Sequence, residues 1–227
     1  MLGAIGPAQA GLVNVQFGGD FNSPQAQVGP AVIGSAGDVW NQMWGLPPAN
    51  TGGGALVDSD GNATGLSISF TTQGWLQVPE GLTVWGTDYR NLMRGMIYTD
   101  TATTRNITIT GLPANAEHEL YVYAQGDSGS NGRQTKLTPA GGTPVITTAT
   151  VATADTFILD QNYVHLDVMS DASGVLSIDY IGETGEANLN GLQLVVGQAP
   201  EPASLGLLAT GGVLLAGVRR RRSRQAA

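Results

Sequence analysis

The sequence predicts an all-β fold: a β-sandwich with jelly-roll connections, followed by a single C-terminal transmembrane helix. Three observations carry this. Apolar residues alternate with period two in many short runs, Gly, Pro, Asn or Asp bounds each run, and the last apolar stretch has no polar face. Such alternation marks half-buried strands, and the punctuating residues supply the turns between them.

In chain order, "LSISF" puts Leu66, Ile68 and Phe70 on one face. "NLMRGMIY", Asn91 to Tyr98, holds at most a helical turn or two. "RNITIT" sets Ile107 beside Ile109, and "HELYVYAQ" sets Leu120, Val122 and Ala124 opposite Tyr121 and Tyr123. "YVHLDV" aligns Val164, Leu166 and Val168; "GVLSIDY" aligns Leu176, Ile178 and Tyr180; "NGLQLVV" aligns Leu192, Leu194 and Val196. Residues 11–197 thus read as one domain with enough chain to bury a core.

Composition narrows the function classes. Acidic residues number 18 against 10 basic ones, and Arg219, Arg220, Arg221, Arg222 and Arg224 all lie in the tail. The body is therefore acidic, which argues against nucleic acid or anionic lipid held by a basic patch. Cysteine is absent, so disulfides, thiolate catalysis and Cys-based zinc sites are excluded. At the other end, "MLGAIGPAQA" closes on Ala8-Gln9-Ala10, a small-x-small pattern suited to signal peptidase. Residues 1–10 are read as the remnant of a longer signal peptide, with Gly11 as the first mature residue.

Candidate binding residues follow from side-chain chemistry. Trp40, Trp44, Trp75, Trp85 and Tyr89 offer aromatic planes on which apolar sugar faces stack, and core filling is the competing use. Trp44 sits in the Gly/Pro-rich "MWGLPPANTGGG" and is the better exposed candidate; Trp75 and Trp85 stand in strand-like contexts that favour the core. Asp127 and Asn131, in "QGDSGSNGRQ", occupy a loop of the kind that carries binding groups. Asp58, Asp60 and Asn62 in "DSDGNATG" alternate as oxygen ligands for Ca²⁺ would. The EF-hand pattern fails, however, because Ala63 takes the glycine position and Ser69 the place of the bidentate Glu. Only a looser calcium loop completed from elsewhere is left, against a plain Asp/Gly turn.

Catalytic signatures are missing. Glu117 and Glu119 share one strand face, whereas glycosidase carboxylates flank the scissile bond across a cleft. His118 and His165 are the only histidines, and neither a G-x-S-x-G elbow nor an H-E-x-x-H helix accompanies them. "NAT" at Asn62 and "NIT" at Asn106 match glycosylation sequons, tripeptides that recur widely by chance.

The tail, residues 198–227, reads differently. From Ala203 to Val218 there is no charged side chain, and small residues mix with Leu and Val on every side. At about 1.5 Å per residue the run spans roughly 24 Å, against about 30 Å of hydrocarbon, and arginine snorkelling closes part of the gap. Arg219, Arg220, Arg221 and Arg222 would hold the C-terminus in the cytoplasm and the body outside.

Pro200-Glu201-Pro202, a short apolar span and a terminal Arg cluster together resemble the PEP-CTERM sorting signal of Gram-negative bacteria. That resemblance implies recognition of the tail by exosortase, a membrane-embedded cysteine transpeptidase, and release or attachment of the body at the cell surface. A more diffuse likeness covers the body. "GSAGDVWNQ", "ITGLPANAEHELYVYAQGD" and "EANLNGLQLVV" resemble galactose-binding-like jelly-roll domains that precede such tails. Carbohydrate contact, with exopolysaccharide as the partner, is implied by that fold analogy alone. The expectation is a non-catalytic exported protein of the envelope or extracellular matrix. A polysaccharide-active enzyme with unidentified carboxylates and a plain single-pass membrane protein are its rivals.

Overall fold

The computed structural model describes residues 11–18, 27–43, 50–77, 90–126, 133–147 and 156–198. In chain order the elements are β1 (Leu12–Phe17), β2 (Asn41–Met43), β3 (Thr51–Val57), β4 (Ala63–Thr71), β5 (Gly74–Gln77), α1 (Arg90–Arg94) and β6 (Gly95–Thr99). There follow β7 (Arg105–Thr110), β8 (Glu117–Tyr123), β9 (Gln134–Pro139), β10 (Val145–Ile146), β11 (Tyr163–Met169), β12 (Leu176–Thr184), β13 (Ala187–Leu189) and β14 (Gly191–Val195). Each alternating run named above falls on one of these strands, and the helical hint becomes the five-residue α1 running into β6.

Two main sheets pack face to face. One has the order β11-β8-β14-β1-β2, the other β10-β9-β12-β7-β4-β3, and β13-β6-β5 form a small third sheet. All pairings are antiparallel except β1 with β2. The chain passes between the main sheets at β2–β3, β7–β8, β8–β9, β10–β11 and β11–β12, so sequence neighbours often lie in opposite layers. The inner rows meet in one core: Val13, Val15, Leu120, Val122, Leu166 and Leu194 from the first sheet, and Ile68, Phe70, Ile107, Ile109, Ile178 and Tyr180 from the second. Burial of this alternating apolar surface is the main stabilising term.

Tyr123 departs from the simple alternation. It lies on the outer face of its sheet, yet it is fully buried. Residues 27–40 lie across that face, and Tyr123 joins Trp40, Leu92 and Met93 in a second apolar cluster with Phe157 and Tyr163 packed against it. The covering segment has no strand partners for its peptide groups, so side chains of the sheet serve them instead. Gln27 N–H donates to Gln16 Oε1 (2.9 Å), Val32 N–H to Tyr123 Oη (3.0 Å), and Gln193 Nε2 to Ile33 C=O (3.0 Å). This is why Asn14, Gln16 and Gln193 are buried although they face outward.

The strand directions give the sandwich two distinct ends. At the first, Leu12 pairs with Val195, Ser59 N–H donates to Leu12 C=O (2.8 Å), and Asn115 N–H donates to Asp171 C=O (3.0 Å). At the second, Gly18 N–H donates to Met43 C=O (3.0 Å) and Phe17 N–H to Asn190 C=O (2.8 Å). Gly18 adopts φ +67° there, and a Cβ would stand 2.6 Å from Met96 N, so glycine is required. Among the described residues no helix is long and apolar enough to cross a membrane. Residues 203–218, read as a transmembrane helix, and the whole segment 1–10 lie outside them.

Candidate functional site

The second end, remote from Gly11 and Gly197, gathers polar side chains that the fold only partly employs. Asn190 is fully used: its Oδ1 accepts from Gln125 N–H (2.7 Å), and its Nδ2 donates to Met93 C=O and Gly95 C=O (3.0 Å each). One amide thus ties α1 to the ends of β8 and β14. Asn188 exchanges backbone bonds with Thr135 Oγ1 and donates through Nδ2 to Glu186 C=O (3.1 Å). Among the described residues its Oδ1 has no partner, nor does Gln125 Nε2, although the two residues are only 1% and 5% exposed.

Gly126 joins these groups. A Cβ on it would approach Arg133 Cδ to 2.6 Å and Asn188 Nδ2 to 3.0 Å, so a side chain here would require Arg133 to shift. Arg133 forms an ion pair with Glu186 (3.1 Å). An acceptor, a donor and an ion pair are therefore gathered near Gly126. A buried unpaired amide costs about 1–3 kcal/mol, which a ligand hydroxyl can recover because it both donates and accepts.

Trp44, Tyr89, Asp127 and Asn131 lie outside the described residues. Of the described residues nearest them in sequence, Met43, Gly126 and Arg133 stand at this second end, where the pairings of Phe17 with Met43, Tyr123 with Gly191 and Gln134 with Thr184 put them. Gln125 and Asn188 escaped the sequence reading. Their only signal was an amide beside a glycine or at a strand terminus, "AQG" and "ANLNG".

The other candidates fall elsewhere. Asp58, Asp60 and Asn62 occupy the turn between β3 and β4, at the first end. Asp58 Oδ1 accepts from Asn62 N–H (2.8 Å) and Asp60 N–H (3.0 Å), bonds that hold its carboxyl below the ordinary range, Asn62 foremost. Among the described residues no three His, Asp or Glu side chains converge as metal ligands. Through these bonds Asp58 caps its own turn. Trp40 is buried and donates to Gly29 C=O (2.8 Å), and Trp75 packs against the main core. Trp85 lies outside the described residues.

Glu117 and Glu119 are exposed on the outer face of β8, with Asp167 opposite Glu119. Tyr121 and His165 stack in parallel beside them, centroids 4.4 Å apart, and Glu119 Oε2 accepts from Tyr121 Oη (3.2 Å) and lies 3.5 Å from His165 Nε2. Partial burial, then this carboxylate, raises the Tyr121 hydroxyl above its ordinary range. The two glutamates stand side by side on one face of β8, not across from each other.

The comparisons bear on the tail most directly. Residues 198–222 match the PEP-CTERM protein-sorting motif. The PEP-CTERM match takes in Pro200-Glu201-Pro202 and the run Arg219 to Arg222, and it implies an exported protein with exosortase as its processing partner. No curated protein matches the chain. Solved structures similar to parts of it include CBM35 from Cellvibrio japonicus Abf62, at 14% identity and TM-score 0.34, over 56% of this chain and 96% of that one. The ANX2 ectodomain from Arabidopsis thaliana matches at 10% identity and TM-score 0.45, over 85% of this chain and 53% of that one. An exo-β-1,3-galactanase from Phanerochaete chrysosporium, solved with β-1,3-galactotriose, matches at 15% identity and TM-score 0.32, over 44% of this chain and 23% of that one.

Proposed function

We propose that this chain is an exosortase-processed surface or matrix protein whose body is non-catalytic and contacts glycan at the end opposite the tail. Residues 1–10 act as the end of a signal peptide, 11–197 form the galactose-binding-like jelly-roll body, and 198–227 form the sorting tail with its membrane-spanning helix. The observation that supports this reading best is the pair of buried, unpartnered amide atoms, Gln125 Nε2 and Asn188 Oδ1, gathered at that end. Neutral amides suit sugar hydroxyls, and Trp44, Tyr89, Asp127 and Asn131 are assigned here as the stacking and hydrogen-bonding groups that complete the site. The PEP-CTERM motif supports export to the place where such a ligand is met.

The test is binding of the exported protein to a panel of bacterial exopolysaccharides and their oligosaccharides, with hydrolysis followed in parallel. Binding without turnover is expected, weakened about 5- to 30-fold by Asn188→Ala, in line with the loss of a buried hydrogen bond. Turnover abolished by a single Asp or Glu substitution would replace this reading with that of a polysaccharide-active enzyme.

A further inference from the structure

The last residues before the sorting motif are fastened to the body at three successive points. Val195 closes the ladder opposite Leu12, Val196 N–H donates to Gly11 C=O (2.9 Å), and Gly197 N–H donates to His118 Nδ1 (3.0 Å). Gly197 has no room for a side chain, since a Cβ there would run into the Glu117 carbonyl oxygen. His118 is 2% exposed, and its Nε2 is buried without a partner among the described residues. Accepting at Nδ1 puts the proton of the neutral ring on Nε2, where it goes unpaired. For packing alone a phenylalanine would serve this position better.

The match to the sorting motif starts at the next residue, 198. Pro200 lies three residues beyond Gly197, so it stands at most about 11 Å from the body along an extended chain. An enzyme that binds the tail in extended form therefore works against this end of the sandwich, and the adjoining backbone it could recruit is the backbone His118 holds.

We propose that His118 is a positioning residue for processing of the tail: by accepting the Gly197 amide proton it confines the cut to the tail side of Gly197. The proposal rests on the exosortase-processing reading above. The groove beside His118 is lined by Glu117 and Glu119 from its own strand, by Asp167 from β11, and by Val195, Val196 and Gly197, which carry no charge. In the core that His118 faces, the titratable or charged side chains on the inner rows of β7 and β12 are Arg105 and Tyr180, which pair at the second end, where the Tyr180 hydroxyl donates to Thr71 C=O. Burial holds the His118 ring neutral below its ordinary range, so the latch stays closed at neutral pH and opens in acid, when Nδ1 takes a proton and can no longer accept.

The test uses the full-length chain in a host that carries the sorting enzyme, with His118→Phe and His118→Asn. Phenylalanine keeps the ring volume and removes the acceptor; asparagine places Oδ1 near the position of Nδ1. His118→Phe should give more than one mature C-terminal mass, and the Gly197 amide should exchange about 2- to 13-fold faster, the factor of one net hydrogen bond, while the core amides keep or gain protection. His118→Asn should restore a single mass and make Gly197 protection independent of pH between 7 and 5, whereas wild type loses it in acid. A single unchanged product mass together with wild-type Gly197 exchange in His118→Phe would overturn the proposal, as would acid-insensitive protection in wild type. A combined Pro200→Ala/Glu201→Ala/Pro202→Ala variant separates the two readings. Normal processing of that variant removes the exosortase reading, and Gly197 exchange still decides the latch.

Discussion

At the scale of single residues, Tyr123 and His118 show how a fold commits buried polar atoms. The Tyr123 hydroxyl donates to Gln193 Oε1 and accepts from Val32 N–H, and burial raises it far above its ordinary range, so it stays protonated at any physiological pH. Tyr123→Phe keeps the ring but strands both partners, and a loss of about 1–3 kcal/mol is expected from urea unfolding. His118 has the opposite sensitivity. Its folded form resists protonation relative to the ordinary value of 6.5, so the unfolded chain binds more protons as pH falls below 6.5. Stability is complete above that pH and declines below it. Unfolding midpoints at pH 7.5 and 5.5 should differ in that direction, and His118→Phe should shrink the difference.

At the scale of elements, the strands were legible because one side of each faces a dry core. Leu66, Ile68 and Phe70, or Leu176, Ile178 and Tyr180, alternate with polar neighbours for that reason alone. Legibility failed where a strand is covered on both sides. Tyr123, Gln193, Asn14 and Gln16 look solvent-facing by period, yet residues 27–40 cover them, and nothing in a local pattern announces a cover that arrives from a distant stretch of chain. The candidate site was illegible for a related reason. Gln125 and Asn188 are 63 positions apart and come to one end through the Gln125 N–H bond to Asn190 Oδ1 and the approach of Gly126 to Asn188, a juxtaposition that no spacing encodes. Gln193→Leu should leave the sandwich folded, because its inner row is untouched, while the amides of residues 27–33 lose protection in hydrogen exchange.

At the scale of the whole molecule, Gly11 and Gly197 stand at one end, and Met43, Gly126 and Arg133 at the other. A body tethered through its tail would hold the proposed glycan-contacting end away from the membrane. Replacing Pro200-Glu201-Pro202 by alanines is expected to leave uncleaved precursor in the inner membrane, read by fractionation and intact mass.

The placement of β14 has a mechanical consequence. It is the middle strand of its sheet, hydrogen-bonded along its length to β1 on one side and β8 on the other. Those bonds run across the strand axis. Tension arriving from an attached surface would load both ladders in shear at once, where an edge strand peeled sideways gives way one bond at a time. The tail is thus rooted where the sandwich best resists being pulled apart.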